Sequence, residues 1–173
     1  MDKVLLIAEK HFGDALKNII SDRIVVTHLT YKEWRKKGFL SKISTLLRFK
    51  YIHHLGGTTS TTLIKSCRLL NKKLIIHFIG TDVYNILRAE MKDQHKIKKL
   101  YAKVWKLAAF GINLIEELKS VNIDNVEHIP FSANLKIPSE TNKTPENSAI
   151  TYLPEGSEEF YGWEFVKPLI LKY

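Results

Sequence analysis

LIIHFIGTDVY, residues 74–84, runs from an apolar stretch into the start of a helix through a Gly-Thr-Asp turn. The stretch from Leu74 to Ile79 is short, rich in β-branched side chains and closed by Gly80, as expected of a strand buried on both faces of a parallel sheet. Ligands of such sheets gather beyond the carboxyl ends of the strands. The turn formed by Gly80, Thr81 and Asp82 is therefore expected to border a cleft.

On either side of this stretch, strand-like and helix-like segments alternate. The pattern predicts an α/β domain, a Rossmann-like parallel sheet with right-handed crossovers and helices on both faces. Strands are expected at residues 4–8, 23–27, 51–55, 73–79, 108–112 and 126–129. Helices are expected at 14–20, 58–70, in a stretch after Thr81 that splits near Asp93 into a longer piece at 94–107, and at 114–120. Residues 1–135 form one domain in this reading. A linker follows at 136–148, in a stretch of Asn, Lys, Thr and Ser with two prolines, and residues 149–173 open a second apolar strand and loop.

A chain of 173 residues suffices for one domain with a substantial core. Its formal net charge of +9 points to an anionic partner: a membrane surface, a phosphorylated small molecule or nucleic acid. No zinc-ligand spacing, RNA-recognition aromatic motif or helix-turn-helix accompanies the charge, so no nucleic-acid partner is expected. The single cysteine, Cys67, excludes an intramolecular disulfide and suits a reducing cytosol. It falls in the helical-looking LIKSCRLL, where a packed thiol competes with a reactive one. The apolar part of MDKVLLIAEK is too short for a secretory signal, and no run of eighteen apolar residues follows. The expectation is a cytoplasmic protein whose membrane contact, if it has one, is peripheral.

Two basic segments carry much of the charge. In KGFLSKISTLLRFK, Phe39, Leu40, Ile43, Leu46 and Leu47 fall on one side of a helix and Lys42 and Arg48 off that stripe. Such a helix either packs on the sheet with a solvated basic face or lies on an anionic bilayer with its lysines at the headgroups. Between Gln94 and Leu107, Lys96, Lys99, Lys103 and Lys106 share one helical face, opposite Ile97, Leu100, Tyr101 and Val104. That lysine face is either a solubilising surface or a patch for lipid or phosphate.

Two further loops follow strands and lead into helices. AEKHFGDAL places Gly13 near a helix start, where free amides receive an anion or a sugar hydroxyl. HHLGGTTSTT supplies Gly56 and Gly57 for backbone freedom and Thr58 or Thr59 as a cap. Neither is GxGxxG, so no dinucleotide site is indicated. His53 and His54 are neighbours in a strand, face opposite sides and cannot ligate one metal together. With no HExxH or CxxC pattern, no metal is expected.

The order YIHHLGG, KKLIIHFIGTDVY and WKLAAFGINLIEELKSVNIDNVEHIPFSANL resembles the amino-terminal domain of GT-B glycosyltransferases of the group 1 (family 4) kind. In that family a strand ending in a small polar turn faces the cleft between two domains. Asn113 to Leu118 and His128 to Asn134 take the places of two later family segments, and YLPEGSEEFYG resembles the first strand and loop of the second domain. The resemblance implies sugar transfer from an activated donor to an acceptor hydroxyl in the synthesis of cell-surface polysaccharide or glycolipid. In that setting Asp82 positions or deprotonates the acceptor hydroxyl, His77 contacts the donor sugar, and Gly13, Gly56, Gly57, Gly80 and Thr81 line the substrate side. Capping of the helix after Gly80 is the competing role for Asp82, and packing in the core the competing role for His77. The family's diphosphate-binding Arg and Lys are not evident in PEGSEEFYG. The implied protein is thus an acceptor-side half with no cofactor of its own. Its nucleotide-sugar donor is a substrate brought by a donor-domain partner chain, and its acceptor is a sugar or lipid-linked glycan. The alternative is a non-catalytic binding module, as a remnant or a subunit of a split transferase.

Overall fold

The computed structural model describes residues 2–13 and 24–130. The expected helix at 14–20, the linker and the second domain start lie outside the described residues. Six strands form one all-parallel sheet: β1 (Asp2–Ile7), β2 (Ile24–Leu29), β3 (Tyr51–Leu55), β4 (Lys73–Phe78), β5 (Lys106–Ala109) and β6 (Val126–His128). Their spatial order is β2-β1-β3-β4-β5-β6. The chain moves one way from β1 to β2, crosses back over β1 to β3, and then steps steadily to β6. A switch point therefore lies between β1 and β3, where crossovers leave in opposite directions and open a crevice at the carboxyl ends.

Between the strands lie α1 (Tyr31–Lys36), α2 (Phe39–Leu47), α3 (Thr61–Leu69), α4 (Thr81–Leu87), α5 (Met91–Tyr101) and α6 (Ile112–Ser120). Helix α1 begins with a capping box, in which Thr30 accepts from the Glu33 amide and Glu33 accepts from the Thr30 amide. Each of these helices buries residues in one cluster on one face of the sheet. Trp34, Leu46, Ile64, Val83, Leu100 and Leu118 meet Leu5, Ile7, Ile52, Leu74, Ile76 and Phe78 there. On the other face Leu6, Ala8 and Leu55 meet Phe12, which belongs to a helical turn at residues 10–13. The side-chain alternation of a strand produces this division. Central strands therefore read as largely apolar on both faces, and Ile52, Leu55, Ile76 and Phe78 are fully buried.

The expectations hold for the α/β class and closely for β3 and β4. Three local expectations are corrected. The helix expected to run to Leu107 stops at Tyr101, and a turn at 102–105 brings the chain into β5 at Lys106, two residues before the expected strand start. The helix expected from Thr58 begins at Thr61, with Ser60 as its cap. On α2 the buried arc is centred on Leu46, with Ile43 and Lys42 half-buried beside it. Phe39, Leu40 and Leu47 of the expected stripe are 61%, 80% and 57% exposed, because the inward arc is rotated away from them.

Candidate functional site

A cavity of about 550 Å³ opens at the carboxyl ends of β3 and β4. Three pieces of chain build it. The loop from Gly56 to Ser60 forms its floor, the turn at Ile79, Thr81, Asp82 and Asn85 one wall, and Tyr31, Trp34, Arg35 and Lys42 from α1 and α2 the facing wall.

Asp82 holds the floor to the wall. Its carboxylate accepts from the amides of Ile79 at 3.1 Å and Gly80 at 2.8 Å, and also from the amide of Gly57 in the neighbouring loop. A carboxylate has about four acceptor positions, so these amides occupy most of its capacity. The glycines make this approach possible. Gly80 adopts φ +128°, a conformation that side chains oppose. A Cβ on Gly57 would lie 3.1 Å from both the Asp82 side chain and the Phe78 ring. Asp82 therefore does more than cap a helix, since it also ties the β3 loop to the β4 loop.

Gly56 takes φ +86°, donates its amide to the His77 carbonyl at 2.6 Å and accepts from His54 Nδ1 at 2.7 Å. His54 stacks on Tyr31, with ring centroids 5.3 Å apart, and the Tyr31 hydroxyl donates to the Leu55 carbonyl. Burial pulls His54 down to about 4. Burial, followed by the charges of Glu9 and Asp82, pushes the Tyr31 phenol well above its ordinary range. Both are neutral at pH 7 and serve as rigid walls. At the rim Thr58 accepts from the Ser60 amide at 3.2 Å, and Ser60 caps α3 by accepting from Leu63. Thr59, Ser60, Thr81 and Asn85 are exposed and present polar groups to the opening.

The sequence brought Asp82, Gly56, Gly57 and Thr81 to this site together, with Gly80 just behind them. Two of its expected residues lie elsewhere. His77 projects to the opposite face of the sheet, where it is 4% exposed, stacks on His53 at 5.5 Å and donates from Nε2 to the Ile129 carbonyl at 3.0 Å. Burial lowers its pKa. Gly13 is corrected too: its amide is already bonded to the Glu9 carbonyl at 3.0 Å, and a Cβ at this position would run into the His28 ring. It is a site of close packing and offers no free amide to an anion.

The expected membrane or anion contacts also separate. Lys42 is half-buried in the cavity wall, with Nζ 5.8 Å from the centre of the Trp34 ring. Arg48 is exposed at the end of α2. Lys96, Lys99 and Lys103 border a second, shallow cavity of about 590 Å³ beside Thr59 and Lys65. Lys106 does not share their face: it starts β5, and its Nζ is paired with Glu127 at 2.8 Å. Among the described residues no group of three or more metal-ligating side chains gathers, and no helix is long and apolar enough to cross a membrane.

Sequence reasoning missed Tyr31, Trp34, Arg35, His54, Ser60 and Asn85. The capping box T-x-x-E at Thr30 to Glu33 was the available signal for α1, since it fixes where the helix starts and hence which residues reach the sheet edge. The chain matches no known protein family, no curated protein and no solved structure.

Proposed function

We propose that this chain supplies the acceptor-binding half of a glycosyltransferase site, with the activated sugar donor brought by a separate donor-binding domain or chain. The observation that carries this reading is the cavity at the carboxyl ends of β3 and β4, beside the switch point of the sheet. Its walls combine hydroxyls and an amide (Thr58, Thr59, Ser60, Thr81, Asn85) with the aromatic rings of Tyr31 and Trp34. A polyol is recognised by this mixture, its hydroxyls exchanging hydrogen bonds and its C–H faces resting on rings.

Within this reading Asp82 keeps the two loops in register, and its remaining acceptor position takes a hydrogen bond from the acceptor hydroxyl. Such positioning accounts for a large part of the barrier in group transfer. Because most of its carboxylate is already engaged, the second reading, a binding subunit that performs no chemistry alone, is supported by the same residue. Peripheral membrane contact belongs to this proposal through Phe39, Leu40 and Leu47, whose exposed side chains lie on α2 next to the basic Lys36 and Lys37.

The test is a transfer assay. The purified chain is mixed with labelled nucleotide sugars and with soluble and lipid-linked acceptors, with and without a candidate donor-domain protein, while a panel of neutral methyl glycosides is titrated separately. Glycoside binding by the chain, with transfer only on complementation, is the expected result. Robust transfer by the chain alone overturns the split site, and failure of every glycoside to bind overturns the acceptor reading. In liposome flotation, recovery on anionic but not neutral vesicles is expected, and failure on both removes the membrane contact.

A further inference from the structure

The cavity contains more positive charge than a neutral polyol requires. Arg35, in the last turn of α1, and Lys42, on α2, both line it. Among the described residues neither forms an ion pair, the three pairs there being Lys92–Glu90, Lys96–Asp93 and Lys106–Glu127. The carboxylate they share the cavity with is Asp82, and its oxygens are held by three backbone amides, two of its own turn and one of the floor loop.

Both cations stand on the wall formed by α1 and α2. The half-buried Lys42 has its ammonium 5.8 Å from the Trp34 ring centre. Arg35 follows Tyr31 by one turn of α1 and lines the cavity together with Tyr31 and His54. The amino end of α3 opens on the same space at Thr59 and Ser60 and adds the partial positive charge of a helix start. A guanidinium fork, an ammonium and a helix terminus around one opening form a receptor for an oxyanion. Two full charges suit a phosphate, which carries close to two negative charges at neutral pH, better than a carboxylate, which carries one.

We propose that the acceptor is phosphate-bearing, with its phosphate between Arg35, Lys42 and the amino end of α3 and its polyol part toward Thr81 and Asn85. This rests on reading the cavity as the acceptor site. It adds the chemical class of the acceptor, which is a polyol or sugar joined to a phosphate, either as a soluble ester or as a lipid headgroup. It also explains why the basic segment between β2 and β3 folds inward at Lys42, against the amphipathic pattern of α2.

The experiment is isothermal titration of the full chain with glycerol 1-phosphate, inorganic phosphate and glycerol, followed by flotation with vesicles of phosphatidic acid or phosphatidylcholine. The neutral glycosides are run in parallel. Phosphate compounds are expected to bind and glycerol not. Arg35→Gln and Lys42→Gln should each weaken glycerol 1-phosphate by about tenfold or more. Lys119→Gln, a charge-matched change at an exposed position on α6, should leave it within about twofold. Circular dichroism melts confirm that the variants fold, and both sites are exposed enough to tolerate Gln. Binding to phosphatidic acid vesicles alone, lost in the Arg35 and Lys42 variants, supports the proposal and identifies a headgroup as the phosphate source. Equal loss in all three variants marks general charge attraction and overturns it. Glycosides that bind while phosphates bring no gain also overturn it, yet leave the acceptor reading standing. If neither class binds, both readings fall.

Discussion

His53 and His54 are consecutive residues of one strand, and their surroundings share almost nothing. His54 turns to the helix-covered face, bonds the Gly56 carbonyl and stacks beneath Tyr31 at the edge of the cavity. His53 turns to the other face, stacks on His77 with planes 10° apart, and among the described residues its buried Nε2 has no hydrogen-bond partner. The front of the sheet at this level is a polar opening braced by Asp82. The back is a closed histidine stack braced by the Ile129 carbonyl. Residue type alone does not make a site; the face it occupies and the crossover that packs there decide whether it meets a ligand.

The largest effect expected from this contrast is on acid stability, where the two faces behave alike. Burial pulls both His53 and His54 from 6.5 down to about 4, with the neighbouring His77 contributing to the shift at His53. The unfolded chain therefore takes up protons first as pH falls. The stabilisation from keeping both rings neutral is complete above pH 6.5 and is lost as pH drops toward 4. Its size is on the order of 4 kcal/mol over that window. Urea unfolding at pH 7 and pH 4.5 measures it. His53→Phe and His54→Phe should each flatten the pH dependence, but only the His54 change should disturb ligand binding, and equal disturbance would break the distinction between the faces.

Asp82→Ala comes next, because it strips three amides of their acceptor at once. A loss of about 3 kcal/mol and loss of glycoside binding are expected in denaturant melts and titrations. Asp82→Asn should retain part of both. His77→Ala, on the back, should cost about 2 kcal/mol through the cavity it leaves and the unpaired Ile129 carbonyl. Its ligand affinity should be unchanged, and a weakened ligand would return His77 to the site. Gly57→Ala should cost about 1 kcal/mol and displace the Asp82 carboxylate, since the new methyl meets Asp82 and Phe78. The smallest change concerns Cys67, whose thiol burial pushes up to about 12: a maleimide should label it only on unfolding, and rapid labelling of the native chain would contradict its packing.

The strands were legible because burial on both faces writes itself as a short, mostly apolar run ended by glycine, and YIHHLG and LIIHFIG both carry that pattern, their histidines included. The turn at Gly80, Thr81 and Asp82 was legible for the same reason. The end of α5 was not, because Ala102 to Trp105 contains neither Gly nor Pro and continues the helical periodicity into a turn. Lys106 was misplaced with it. Half of the cavity was hidden as well. Tyr31, Trp34 and Arg35 reach it only because the β2 to β3 crossover passes back over β1, and strand order is a tertiary property that no local window contains. His77 was drawn toward the site by its distance along the chain from Asp82, while the pleat sends it to the other side.

The most direct measurement is amide chemical-shift mapping of the isotopically labelled chain during titration with a methyl glycoside and with glycerol 1-phosphate. Shifts concentrated at Gly57, Thr58, Thr59, Ser60, Thr81 and Asn85, with the amides of Ile75, Val126 and Glu127 unmoved, are the predicted result. Shifts concentrated on the back of the sheet around His53, His77 and Ile129, or no shifts with either ligand, would contradict the assignment of the cavity as the substrate site.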